Sequence, residues 1–210
     1  MEKSNMQKIN ITKENILCSH VKADIITENH EEVLRVEKNE KLDIFDENTY
    51  VIIKDIKLHN GIIQVKMLSR LLPDAPDFAR GFIGIVFRVN EKGSEFESYY
   101  IRPTNGNHPD PIRHSHGSQY FSYPGYTFAY FREHNIQGYE APIQQGLNEW
   151  VTLKAIIEDD KASFYINGQE EPTLVVNDLK HGVGEEGYLG FYVDTGTEAF
   201  FKDLEIEIKD

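Results

Sequence analysis

Apolar and polar residues alternate along most of the chain, and helical periodicity is scarce. Ile83, Ile85, Phe87 and Val89 share one parity, with Phe82, Gly84, Val86 and Arg88 on the other. In an extended backbone these two sets face opposite sides of a sheet. From 150 to 158 the chain behaves likewise. Val151, Leu153, Ala155 and Ile157 form an apolar face, while Trp150, Thr152 and Lys154 point away from it. Further strands are predicted at Asp24–Glu28, Val33–Glu37, Tyr50–Lys54, Gly61–Leu68, Glu97–Arg102, Ala162–Ile166, Tyr188–Asp194 and Ala199–Ile208. Nearly all are rich in β-branched and aromatic residues.

Turn chemistry separates these runs. Asn167-Gly168 has the residues that accept positive φ in a tight hairpin, and Asn60-Gly61 and Lys92-Gly93 mark two more junctions. Pro73, Pro76, Pro103, Pro109, Pro111 and Pro124 interrupt the middle of the chain, so Leu72–Arg80 and Pro103–Gly125 read as loops. Within the second, Gln119–Ser122 is strand-like. Many short antiparallel strands and no helix of consequence imply an all-β, two-sheet sandwich. The pattern predicts one domain over 14–210, with 1–13 a flexible or loosely paired N-terminal lead-in.

Composition narrows the partners. Of 210 residues, 40% are hydrophobic and 11% aromatic, enough for a real core. The 22 Lys+Arg stand against 35 Asp+Glu, a net charge of −13. That balance argues against nucleic-acid phosphates and against an anionic membrane surface as partners. No apolar run approaches the roughly 20 residues that span a bilayer. Met1 to Asn10 is polar and lacks the apolar centre of a secretory signal, so a cytoplasmic location is expected. Cys18 is the only cysteine, which excludes an intrachain disulfide and a thiolate metal site.

Three stretches go beyond generic β character. They are Gly84–Asn90 running to Tyr100-Ile-Arg-Pro-Thr-Asn-Gly106, then His116-Gly-Ser-Gln-Tyr120 with Tyr123-Pro-Gly-Tyr126, and finally Trp150 through Gly168, Val176-Asn-Asp-Leu-Lys-His-Gly182 and Gly196-Thr-Glu-Ala-Phe200. In that order and spacing the chain resembles the concanavalin A-like (laminin G-like) jelly-roll family of lectins and glucanases. It is most similar to a bacterial branch related to 3-keto-disaccharide hydrolases and glycoside-hydrolase-like domains. The resemblance implies a jelly roll whose one sheet has a concave face that takes a glycan. Glucanase members carry alternating carboxylates, Glu-x-Asp-x-x-Glu, on one strand. This chain has no such run, so ordinary glucanase chemistry does not carry over.

The candidate chemistry follows from parity and from the long loop. Arg88, Tyr100 and Arg102 lie on polar parities, and Tyr188, Gly190, Tyr192 and Asp194 place tyrosines beside a glycine that could leave room for a ligand. Sugars call for such a face, since their C–H surfaces pack on rings and their hydroxyls need planar polar groups. A solvated outer sheet with cross-strand Arg/Tyr pairs is the alternative. The loop adds Asn105, His108, Asp110, Arg113, His114, His116, Gln119 and Tyr120. His108, His114 and His116 invite a metal reading, but they match no recognised ligand signature, and neither a metal nor another cofactor is expected. An enzyme would need carboxylates, with Glu140, Glu133, Asp110, Asp194 and Glu198 as candidates. Glu140 beside Tyr139 is the first choice of acid, in an aromatic setting that would raise its pKa. Glu198 could equally be a structural acceptor for Arg88 or Arg102. The expected site is thus Glu140 and His116 as proton-transfer groups, with Arg88, Tyr100, Arg102, Asn105, Gln119, Tyr120 and Arg132 binding a saccharide or glycoside. Two other readings stay open: a glycosidase or lyase-like enzyme, and a protein-interaction domain.

Overall fold

The computed structural model describes residues 5–39, 44–184 and 186–209. In chain order the strands begin with β1 (Gln7–Ile9), β2 (Ile16–Ser19), β3 (Val21–Glu28), β4 (Glu31–Lys38) and β5 (Tyr50–Leu58). They continue with β6 (Asn60–Leu71), β7 (Ile83–Val89), β8 (Phe96–Ile101), β9 (Ser118–Tyr123) and β10 (Glu140–Ala141). The last five are β11 (Val151–Glu158), β12 (Lys161–Ile166), β13 (Leu174–Val176), β14 (Gly187–Val193) and β15 (Thr197–Lys209). One sheet runs β13-β12-β11-β6-β15-β4-β3, with β1 paired to β15, and the other runs β10-β9-β8-β7-β14-β5-β2. Every pairing is antiparallel. The result is a jelly-roll sandwich.

Alternation explains the layers. Ile83, Ile85 and Phe87 face inward and meet Val65, Leu153 and Phe164 of the opposite sheet. Tyr99 stacks on Phe164 with ring centroids 4.1 Å apart, and Phe191 on Phe201 at 4.6 Å, so aromatic pairs join the sheets. Trp150, on the outward parity, is half-buried against Leu68 and Phe200 under the Lys202 ammonium.

The face of the β10–β2 sheet turned away from this core is not an open platform. Tyr50, Ile52, Phe82, Val86, Phe96, Tyr100, Phe121 and Tyr192 fill it as a second buried cluster, covered in part by Phe45 and Tyr123. Tyr192 is fully buried, its hydroxyl donating to Asp194 Oδ2 at 2.6 Å. A Cβ on Gly190 would lie 1.9 Å from Val51 O, so this glycine admits the neighbouring strand and not a ligand. The hollow expected along the whole sheet is therefore packed with rings, and a cavity remains at one end of it.

Two short helices depart from the all-strand reading. α1 (Pro111–Ser115) starts with Asp110 accepting from Ile112 N, followed by proline at its first position. α2 (Phe128–Glu133) is capped by Thr127, whose side chain accepts from Tyr130 N, and buries Phe131. Among the described residues, no helix is long and apolar enough to cross a membrane.

Candidate active site

The open end of the ring cluster is built from three neighbouring strands. Tyr100 pairs with Gln119, which pairs in turn with Glu140, so one row crosses β8, β9 and β10. Arg102, two residues beyond Tyr100, points to the same side. Its backbone N–H donates to Gly117 O at 2.7 Å, which brings the chain around His116 back over the strand ends.

Arg102 is the hub. Its Nη1 donates to Glu140 Oε1 at 2.7 Å and to His116 O at 3.1 Å, and its Nη2 to Tyr100 Oη at 3.0 Å and Gln119 Oε1 at 3.2 Å. Arg132 of α2 also donates to Glu140 Oε1, at 2.9 Å. The other oxygen, Oε2, lies 2.8 Å from His116 Nδ1. That approach is a close contact off the hydrogen-bond axis, since buried Nδ1 has no aligned partner. The His116 side chain is 33% exposed, so its other edge is the accessible one.

The electrostatics reverse the expectation for Glu140. Burial alone would raise its pKa, but Arg102, then Arg132 and His116, outweigh it and hold the carboxyl below its ordinary range. Glu140 is thus an ionised anchor for two guanidiniums and not a protonated acid. Its neighbour Tyr139 donates to Asp178 and stacks on Phe131, away from this carboxylate.

Above the hub lies a cavity of about 440 Å³, within the range of small-molecule sites. Its apolar wall includes Phe45, Phe78, Phe82 and Phe128. Phe45 meets Phe78 and Phe128 edge-on at 5.3 and 5.8 Å, and Arg102 and Arg132 lie over Phe128. Beneath it Asp46 is buried, accepting from Phe128 N at 2.7 Å and so seating α2.

The structure gathers Tyr100, Arg102, Asn105, His116, Arg132 and Glu140 here, but in unequal roles. Asn105 is buried and its amide is used internally, Nδ2 donating to His116 O and Oδ1 accepting from Arg113 Nε. Gln119 is fully buried between Arg102, Tyr120 O and Tyr139 O, which makes it a support and not a ligand contact. Tyr100 is 1% exposed, and its hydroxyl takes a bond from Arg102.

Two expected residues lie elsewhere. Tyr120 follows Gln119 directly and faces the opposite side, into the core, where it donates to buried Glu97 at 2.6 Å. Arg88 sits at φ 52° beside a register shift between β14 and β7, where the bulge breaks the alternation. Its guanidinium donates to His59 O, Asp159 O and Gly182 O at the far end of the strands.

Other candidates are also accounted for. Asp194 is buried against Lys38, and Glu198 pairs with Arg35, not with Arg88 or Arg102. Glu133, at the end of α2, is exposed. His108 Nδ1 meets Asp110 N, and His114 Nδ1 lies 3.3 Å from Asn105 O. Among the described residues, no three His, Cys, Asp or Glu side chains are grouped to hold a metal. The sequence reading missed Phe45, Asp46, Phe78, Arg80 and Phe128. Arg80 closes a proline-broken loop, and an arginine there was the one available signal.

A family model described as 3-keto-alpha-glucoside-1,2-lyase-like domain matches residues 26–207. The chain belongs to that family. No curated protein matches it. Among solved structures, a carbohydrate-binding module, CBM66, from Bacillus subtilis aligns at TM-score 0.57 with 12% identity, covering 89% of this chain and 94% of that one. A Bacillus subtilis protein of unknown function with a galectin-like fold aligns at 0.53 with 11% identity, over 92% and 89%. Peanut lectin aligns at 0.52 with 10% identity, over 96% and 95%. At such identities these structures establish the concanavalin A-like fold. With the family, they make the chain a carbohydrate-related jelly-roll domain.

Proposed function

We propose that the cavity over Arg102 is a saccharide-recognition site. The observation that carries the reading is the pairing of half-buried Phe45, Phe78 and Phe128 with the guanidiniums and imidazole of Arg102, Arg132 and His116. A sugar's C–H faces pack on rings, and its hydroxyls bond planar donors and acceptors. The family description and the carbohydrate-binding neighbour support a glycoside as ligand. Titration calorimetry with mono- and disaccharides tests it. Saturable binding weakened at least about tenfold by Phe128→Ala is expected. No binding across the panel, or binding indifferent to that variant, would refute it.

A second reading, catalysis, is favoured by the His116–Glu140 contact. A 1,2-lyase acting on a 3-keto glucoside removes the proton at C2, which the C3 carbonyl acidifies. The C2–H electron pair forms the C1=C2 bond as the C1–O bond breaks, and the departing oxygen takes up a proton. The accessible edge of His116 suits it as the base that accepts the C2 proton. Glu140, fixed by two arginines, would orient the ring and stabilise the imidazolium. This assigns proton transfer to His116 and a positioning role to Glu140. Its test is turnover of a 3-keto glucoside by His116→Gln: loss is expected, and retained turnover would dismiss the role.

A further inference from the structure

Four of the chain's seven arginines, Arg80, Arg102, Arg113 and Arg132, line this one cavity. The carboxylates at hand are Asp110, Glu140 and buried Asp46, which accepts from Phe128 N, and all three are engaged. Glu140 accepts from Arg102 and Arg132 and lies against His116, while Asp110 caps α1 through Ile112 N at 2.9 Å. Arg80 and Arg113 have no carboxylate partner among the described residues. Arg80 donates through Nη1 alone, to Asp77 O at 2.8 Å and Ala79 O at 2.9 Å. Arg113 donates Nε to Asn105 Oδ1 at 2.8 Å and Nη2 to Thr104 Oγ1 at 3.1 Å. That leaves Nε and Nη2 of Arg80 and Nη1 of Arg113 as donors for something else.

Of the three arginines elsewhere, Arg35 is paired with Glu37 and Glu198 and Arg70 with Glu28, while Arg88, also without a carboxylate, engages all three of its nitrogens with backbone carbonyls. In a chain of net charge −13, carboxylates are plentiful, yet among the described residues none forms an ion pair with the Arg80 and Arg113 guanidiniums. Arg80 is half-buried, and burial, then the charges of Arg113 and Arg102, lower its pKa, so Arg80 feels the other two cations. Gathering like charges in a partly desolvated pocket costs free energy, which an incoming anion would recover.

We propose that the saccharide bound here carries an anionic group, a carboxylate or a phosphate, seated between Arg80 and Arg113. The inference rests on the saccharide reading above. Guanidinium forks match both anions by paired, charge-assisted hydrogen bonds, which a neutral hydroxyl cannot supply as strongly. With the anion at that edge, the sugar ring extends over Phe78 and Phe128 towards His116.

The test is calorimetric titration of the full chain with matched probes. These are D-glucuronic acid against D-glucose, D-galacturonic acid against D-galactose, and glucose 6-phosphate for the phosphate arm, with inorganic phosphate and acetate as bare anions. The acidic sugar of at least one pair is expected to bind about tenfold tighter than its neutral partner, the scale of one charge-assisted hydrogen bond. The arm that shows the preference distinguishes carboxylate from phosphate. That preference should shrink in Arg80→Gln and in Arg113→Gln, with thermal unfolding of each confirming the fold. In the wild type it should also shrink as NaCl rises from about 0.01 to about 1 M, which cuts the screening length from about 30 Å to about 3 Å. Equal affinity for acidic and neutral sugars overturns this inference and leaves the saccharide reading standing. Bare phosphate or acetate binding as tightly as the acidic sugar also overturns it, because the ring then contributes nothing. No binding by any sugar, neutral or acidic, overturns the saccharide reading and this inference together.

Discussion

His116 Nδ1 and Glu140 Oε2 lie 2.8 Å apart, and the remaining carboxylate oxygen holds Arg102 and Arg132. The two residues therefore differ in what their loss should do. Glu140→Ala leaves Arg102, a 6% exposed side chain, without its only carboxylate ion pair among the described residues, although the bonds to Tyr100, Gln119 and His116 O remain. Stability should fall by about 3 kcal/mol. His116→Ala removes a one-third exposed ring and should cost about 1 kcal/mol or less. Chemical denaturation of both variants checks the order, and a His116 variant as unstable as the Glu140 variant would contradict it.

Asp46 gives the site a pH signature. Burial, reinforced by Asp194 and opposed by the Phe128 N–H, Arg102 and Tyr100, raises its pKa to about 7 from an ordinary 3.8. The folded state then binds a proton that the unfolded state has released between those values. Stability from this group accordingly falls as pH rises from about 4 to about 7 and is level above that. At about 1.4 kcal/mol per pKa unit the effect reaches about 4 kcal/mol at most. Asp46→Asn keeps the shape, tolerates the φ of 54°, and removes the titration. Unfolding free energies of the two proteins should differ more at pH 8 than at pH 5, in favour of the variant. A pH-independent difference would contradict the assignment.

Arg88 is a clamp on the fold and not part of the proposed saccharide site. It donates to carbonyls of three segments and is 7% exposed. Arg88→Met should lower stability by about 2–4 kcal/mol by leaving those acceptors bare. Saccharide affinity of the remaining folded protein should be unchanged, because the guanidinium sits at the opposite end of β7. A lost affinity without lost stability would reverse the roles.

Tyr120 behaves similarly. Its hydroxyl donates to Glu97 and accepts from Lys180 N at 2.8 Å, and Glu97 also accepts from His181 N. Burial raises the Glu97 pKa, so this network is sensitive to a missing donor. Tyr120→Phe should cost about 1–3 kcal/mol in a denaturation experiment, the penalty for an unsatisfied buried acceptor. Sugar binding should not change.

Much of this was legible in the sequence where alternation is regular. The period of two in Ile83–Phe87 and Val151–Ile157 places both inner faces correctly, and the Asp110-Pro111 pair marks a helix start that a reading centred on strands passed over. Arg102, His116 and Glu140 were named from a loop and a strand end, and the row Tyr100–Gln119–Glu140 is what brings them together. Parity failed at Arg88, where a bulge turns the side chain, and it could not place both Gln119 and Tyr120 on one face. The Glu140 charge state was misread because local sequence shows Tyr139 but not the two arginines arriving from elsewhere in the chain. Nor does local sequence show that rings from four strands and two loops fill the outer face.

A crystal structure of the protein soaked with its tightest-binding saccharide tests the central claim most directly. The account predicts the sugar against Phe128 and Phe78, with a hydroxyl or anionic oxygen within hydrogen-bonding distance of Arg102, Arg113 or His116. A larger cavity of about 760 Å³ lies at the opposite end of β7 and β8, lined by Lys57, Arg88, Glu97 and His181. A sugar seated there, with the pocket over Arg102 empty, would contradict the account.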